Sequence, residues 1–382
     1  MAHVFIVNNI TFKYHLEYLF AGTGASDVST DFIFDATIKL NSQDEKRSVG
    51  MICDVSRIKK GDKILFFVTK VAKFYGVFEA DSEFFLDPND ANNYLKNELG
   101  KILTYRIRIR PYRVFEDGIS EYDCLDSLKG ISYPDQICWS LIYRKLGGNR
   151  GCTMITEQEY EALFNKIQMN NKELGSSYYS FDLDTNKIVV SSKNDYTGRM
   201  INIESNMLAN MHQRIVDKKA FEHYLQYYVI LELRKNNGAS FLSEKNPVTW
   251  IGNEVMCSFG EHRIDCLSIQ ENKTDVAISL IELKDEKINE WIKYQLESYL
   301  VWLEDYITPY YLRLGKTVKV YPIIISDGIY SARPSTRQKL HDIETNVRNT
   351  KWTKYESSKI KIFDTAIYHF EDINGEIKIK GD

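Results

Sequence analysis

Apolar positions follow two different rhythms along this chain. Up to about residue 170 they come in short runs, at 4–7, 62–68 and 73–80, separated by turn residues. The runs at 62–68 and 73–80 predict neighbouring strands. Over 104–114, Arg106, Arg108 and Arg110 alternate with Ile107 and Ile109, so a strand there carries its arginines on one face. Helices are predicted at 89–99 and 157–167. Strands dominating over a few helices predict a small barrel-like α+β domain over residues 1–170. Residues 171–203 are rich in Ser, Asn, Asp and Tyr and predict a linker able to form a hairpin.

From residue 204 the rhythm lengthens. A helical stretch runs to 235, and strands follow at 254–259, 263–269 and 276–284. A helix is predicted over 287–314 with a bend near Pro309, then a buried strand at 317–326. A helix at 336–346 and strands within 360–370 complete the region. Helix, three strands, helix, strand predicts a 204–382 domain with an α/β core and a mixed central sheet. The whole chain therefore reads as a two-domain α+β protein.

Charge enters where this pattern should forbid it. The apolar 276–281 run delivers Glu282 and Lys284, which point to one strand face while Ile281 and Leu283 point to the other. Asp265 interrupts the neighbouring run in the same way. Buried charges are costly unless they pair or bind a metal. Two carboxylates beside a lysine suit a Mg²⁺-dependent phosphodiesterase, with the acids holding a hard cation and the lysine steadying water or phosphorane charge. The other reading of Glu282 and Lys284 is a solvated pair at a strand end.

Composition narrows the class. The chain has 382 residues, 43% hydrophobic and 27% charged, and a net charge of −4, so any nucleic-acid contact must come from local patches. No apolar run is long enough to span a membrane, and residues 1–12 lack a basic start and a cleavage site, so no membrane partner is expected. Six cysteines without a CxxC or a zinc spacing predict reduced thiols in a cytoplasmic protein. Gly22-Thr23-Gly24 has no following Lys-Ser/Thr, which rejects a phosphate loop.

Three segments of the second domain carry a resemblance. They are Gly260-Glu261-His262-Arg263-Ile264-Asp265, then Ile281-Glu282-Leu283-Lys284, then Gln295-Leu296-Glu297-Ser298-Tyr299. Together they resemble the PD-(D/E)xK nuclease superfamily, most closely its restriction-enzyme and NucS-like branches. Lys284-Asp285 departs from the more basic sequence usual in the NucS-like branch. The resemblance implies that Asp265, Glu282 and the Leu283 carbonyl hold Mg²⁺, that Lys284 orients or deprotonates the attacking water, and that Gln295 contacts the lysine or the DNA backbone. It also implies a carboxylate from the preceding helix. Glu222 and Glu232 are the candidates, about 80° apart on a helix, and Glu222 is favoured. Glu254 is a third candidate.

In the first domain, Gly61-Asp62-Lys63-Ile64-Leu65-Phe66-Phe67, Gly76-Val77-Phe78-Glu79-Ala80 and Trp139-Ser140 resemble the EVE/YTH-like branch of the PUA superfold. That resemblance implies recognition of a modified or flipped base in an aromatic cage. Trp139 is the leading cage candidate, with Tyr75, Phe84 and Phe85 behind it. Arg106, Arg108 and Arg110 either contact phosphates or form a solvated face. A reader joined to a nuclease implies a Mg²⁺-dependent restriction endonuclease acting on double-stranded DNA, working as a homodimer because one chain carries one site. A mismatch or branched-DNA repair endonuclease and a non-catalytic nucleic-acid-binding protein are the alternatives.

Overall fold

The computed structural model describes residues 1–24, 28–88, 95–99, 102–125, 130, 132–136, 151–169, 171–235, 239–257, 262–285, 288–327, 334–373 and 375–381. It is a mixed α+β fold in two compact units, one of Met1–Ser132 with Gln136–Asn206 and one of Tyr133–Asp135 with Met207–Asp382. No described helix is long and apolar enough to cross a membrane.

The first unit is organised on a sheet whose strands run Phe20–Thr23, Tyr105–Pro111, Lys73–Ala80, Lys63–Val68, Ala2–Val7 and Cys152–Ile155. Ala2–Val7 and Lys63–Val68 are parallel, and the 62–68 and 73–80 runs do pair antiparallel. The ladder is open, since its first and last strands do not pair among the described residues. Two helices that the apolar rhythm did not predict, Asn9–Tyr18 and Ser42–Ser56, lie in this unit. Gly61, at φ +95°, makes the turn into Lys63–Val68, and Asp62 fixes it by accepting the Lys59 N–H at 2.9 Å.

The 171–203 segment is not a bare linker. Tyr179–Asp182 and Lys187–Val190 form an antiparallel hairpin whose Phe181 is buried against Phe12 and Tyr75. Its polar composition hid two buried aromatics, Tyr179 and Phe181, that face the core at alternate positions.

In the second unit the predicted 204–235 helix is two, Glu204–Val216 and Glu222–Arg234, parted by Lys218 at φ +54°. Trp250–Met256, Arg263–Glu271 and Asp275–Lys284 form an antiparallel meander. Ile292–Tyr306 and Thr308–Arg313 then cross over to Thr317–Asp327, which lies parallel to Asp275–Lys284. The helix break falls at Ile307, two residues before Pro309. Ala366–Ile373 adds a further parallel strand and Glu376–Gly381 an antiparallel edge. Asp275–Lys284 is central and buried on both faces, which explains its apolar run from Val276 to Ile281, interrupted by the buried Ser279 alone.

Candidate active site

The turn between the two charge-bearing strands sets their register. Asn272 accepts the backbone N–H groups of Thr274 and Asp275 at 2.9 and 2.7 Å, closing a tight turn. Pairing then runs from Glu271↔Val276 to Cys266↔Ile281. Asp265 and Glu282 come next on this ladder and so share one face. Glu282 is 2% exposed although it is ionisable.

Its carboxylate is held on both sides. Lys284 Nζ donates to Glu282 Oε1 at 2.7 Å, as strand alternation requires. The Tyr299 hydroxyl lies 2.9 Å from Glu282 Oε2 and 2.8 Å from the Arg263 carbonyl, and its single proton serves one of them at a time. Asp265 Oδ2 accepts the Leu283 backbone N–H at 2.7 Å. Burial, reinforced by the Glu282 charge and more weakly by Glu222, holds the Asp265 carboxyl well above the usual carboxylate range. Burial pulls the Lys284 ammonium down, but Glu282, Asp265 and Glu222 outweigh it and leave Lys284 above its ordinary value. Burial and the same acids push the Tyr299 phenol up, so it stays a donor.

Glu222 and Glu232 separate clearly. The Glu222 charge acts on both Asp265 and Lys284. Glu232 is ion-paired with Lys235 near the other end of its helix. Asp285 explains the unusual residue after Lys284, because its Oδ2 accepts the backbone N–H groups of Phe221 at 2.7 Å and Glu222 at 3.2 Å. It therefore caps the helix that presents Glu222.

The sequence reading missed Gln226, one helical turn beyond Glu222. Its amide donates to the Asp265 carbonyl at 2.9 Å and lies 3.4 Å from Glu254 Oε1. An i, i+4 pair of polar residues on a mostly buried helix was the signal available. Glu254 itself sits between the paired residues Asn253 and Val255, opposite Asp265, with φ at +50°. That left-handed backbone costs a non-glycine residue about 1–3 kcal/mol, and Glu254 also accepts from Arg263 at 3.0 Å. Gln295 is brought to the helix that carries Tyr299, but its side chain makes no hydrogen bond among the described residues. Gly260 and Glu261 lie outside the described residues.

Among the described residues no group of three His, Cys, Asp or Glu side chains is disposed to hold a metal by itself. Two carboxylates crowded together at Asp265 and Glu282 fit a hard cation that completes its shell with a backbone carbonyl and water, as Mg²⁺ does.

The expected basic row in the first unit is not a free stripe. Arg106 is 0% exposed, donating from Nη1 to Asp87 at 2.5 Å and from Nε to the Leu103 carbonyl at 2.6 Å, with Phe20 and Tyr196 against it. Arg108 donates to the Tyr18 carbonyl at 2.9 Å, and Arg110, the most exposed of the three, pairs with Glu79 at 2.6 Å. Tyr75 and Phe85 are core residues, and Phe84 packs against Tyr105. Trp139 and Ser140 lie outside the described residues.

No protein-family model matches this chain, and no curated protein matches it. Among solved structures, the X-ray crystal structure of protein PSPTO5229 from Pseudomonas syringae is similar at 12% identity, covering 43% of this chain and 98% of that chain with a TM-score of 0.27. A likeness so slight carries no argument about function.

Proposed function

We propose that this chain is a Mg²⁺-dependent DNA endonuclease of restriction type. The second unit would hydrolyse phosphodiester bonds, and the first would select a specific, modified or flipped base. The observation that carries this reading is the set of buried Glu282 with half-buried Asp265 and Lys284 on adjacent strands, and Glu222 close enough for its charge to act on it. The order helix, three-stranded meander, helix, parallel strand gives independent support.

Asp265 and Glu282, with the Leu283 carbonyl, would hold the magnesium, which when bound supplies Lewis-acid polarisation of a phosphoryl oxygen and of water. Lys284 keeps its proton in this field, so its task is to donate to the attacking water or to a phosphoryl oxygen as charge develops. Tyr299 and the Leu283 N–H fix the two carboxylates in place. Attack of water on phosphorus, with cleavage of the bond to the 3′ oxygen, leaves a 5′-phosphate and a 3′-hydroxyl. A double-strand cut calls for two chains.

The test is incubation of the full chain with plasmid DNA from base-modifying and non-modifying hosts, with and without Mg²⁺. Cleavage is expected only with Mg²⁺, differing between the two plasmids, and lost in Asp265→Asn, Glu282→Gln and Lys284→Ala. Cutting by these variants at the wild-type rate would overturn the site. Equal cutting of both plasmids would overturn the selection of modified bases.

A further inference from the structure

One row of polar residues crosses three neighbouring parallel strands beside the candidate site. Lys284 is paired in register with Ser326 of Thr317–Asp327, and Ser326 with His369 of Ala366–Ile373. Two-residue alternation puts this row on the face that carries Glu282. The packing agrees. Phe370, next to His369 and so on the opposite face, packs against Phe221, whereas His369 turns to Glu344 of the helix Pro334–Arg348, with Nε2 3.7 Å from Oε1. Right-handed crossovers put that helix and Ile292–Tyr306 on one face, the face from which Tyr299 reaches Glu282.

Ser326 stands out in this row. It is 1% exposed, and its hydroxyl has no hydrogen-bond partner among the described residues. Ile323, Ile324 and Ile325 before it are apolar, and an apolar residue here would avoid the cost of burying an unused hydroxyl. On the next strand, about 4.8 Å away between backbones, the side chain beside it is Lys284. In this metal-free arrangement both Glu282 oxygens are taken, Oε1 by Lys284 at 2.7 Å and Oε2 by Tyr299 at 2.9 Å. The Tyr299 proton has the Arg263 carbonyl as its other acceptor. Lys284 has no second hydrogen bond among the described residues. A divalent cation on the Glu282 carboxylate would face the ammonium as a like charge and drive it off Oε1.

We infer that Ser326 is a positioning residue for Lys284, which hands its ammonium from Glu282 to the Ser326 hydroxyl when the carboxylates take up a divalent cation. The hydroxyl oxygen accepts one of the three ammonium protons and leaves two for the attacking water or a phosphoryl oxygen. The buried hydroxyl thus has its partner in the metal-bound state, and the lysine is held there instead of ranging through solvent. The inference rests on the nuclease reading and deepens it, because it names the group that aims the lysine while Glu282 is engaged.

The experiment is proton–nitrogen NMR of the full chain with its lysine Nζ atoms labelled, in which held ammonium groups are visible and freely exchanging ones are not. The Lys284 signal is assigned by its loss in Lys284→Arg. Without metal, the wild type and Ser326→Ala should both show it, because Glu282 holds the ammonium. With Mg²⁺ the wild-type signal should shift and persist, whereas that of Ser326→Ala should vanish. Plasmid cleavage by Ser326→Ala should fall about tenfold in kcat with KM unchanged, the worth of one hydrogen bond to a charged group. Ser326→Thr, which keeps the hydroxyl, should restore the signal and the rate. Removing an unpartnered hydroxyl costs little, so Ser326→Ala should melt with the wild type. A signal that persists in Ser326→Ala with Mg²⁺ would overturn the handover, and so would one lost before metal is added. A wild-type signal that Mg²⁺ leaves in place, in a chain that cuts DNA, would overturn it without any variant and keep the nuclease reading. The handover seen in a chain that never cuts DNA would retain the role of Ser326 and reject that reading.

Discussion

Arg106 with Asp87 in the first unit and Lys284 with Glu282 in the second are both ion pairs in which a strand residue meets a buried carboxylate, yet the charges gathered around them differ. Beside Arg106 lie the Asp87 carboxylate and the neutral Tyr196 hydroxyl, which is 2.6 Å from Asp87 and 3.0 Å from Arg106. The Phe20 ring lies 4.7 Å from the guanidinium and helps to close off water. Around Lys284, by contrast, one ammonium faces Glu282, Asp265 and Glu222 together. A cation held against a carboxylate and enclosed by aromatic rings serves the fold, even with Arg106 Nη2 buried without a hydrogen-bond partner. An acid-rich cluster at a strand end makes ionising every one of its carboxylates costly, which is what the proposed metal site would relieve.

The comparison breaks most visibly at Arg106. Arg106→Ala would take the guanidinium at 2.5 Å away from the buried Asp87 carboxylate and leave the Tyr196 hydroxyl beside it. A loss of about 3–5 kcal/mol is expected, read as a lower melting temperature of the full chain. If melting were unchanged while DNA binding fell, Arg106 would return to phosphate contact.

A smaller effect of opposite sign is expected at Asp265. In the unfolded chain its carboxyl titrates near the ordinary value of about 4, whereas in the folded chain it binds its proton more tightly. As pH rises from the ordinary value through the raised one, the folded state holds the extra proton and stability falls. Asp265→Asn removes this loss, because an amide oxygen still accepts the Leu283 N–H. Without divalent metal at neutral pH the variant should melt a few degrees above the wild type, and the difference should vanish at pH values below the ordinary carboxylate range. A variant that melts lower at neutral pH would show that Asp265 is ionised and stabilising there.

The two clusters were unequally legible in the sequence. Glu282 and Lys284 stood out because two-residue alternation alone puts them together at the end of a strand whose positions 276–281 are apolar but for Ser279. Asp265 joined them because the short turn at Asn272–Thr274 fixes the register. Arg106, Arg108 and Arg110 obeyed the same alternation, but alternation gives a face and says nothing of what covers it. What covers Arg106 is Tyr196, from a segment whose composition reads as linker, ninety residues away in sequence. Burial by a distant segment is a tertiary fact with no local periodicity. The same holds for Glu254, whose left-handed backbone falls opposite Asp265 in the ladder. Asp285 is another case, because its capping role depends on a helix more than sixty residues earlier.

The most direct measurement of the claim that separates the two clusters is a calorimetric titration of Mg²⁺ into the full chain, its Arg106→Lys variant and its Glu282→Gln variant. The account predicts uptake at one site by the wild type, the same uptake by Arg106→Lys, and none by Glu282→Gln. Equal uptake by the wild type and Glu282→Gln, or no uptake by any of the three, would contradict it.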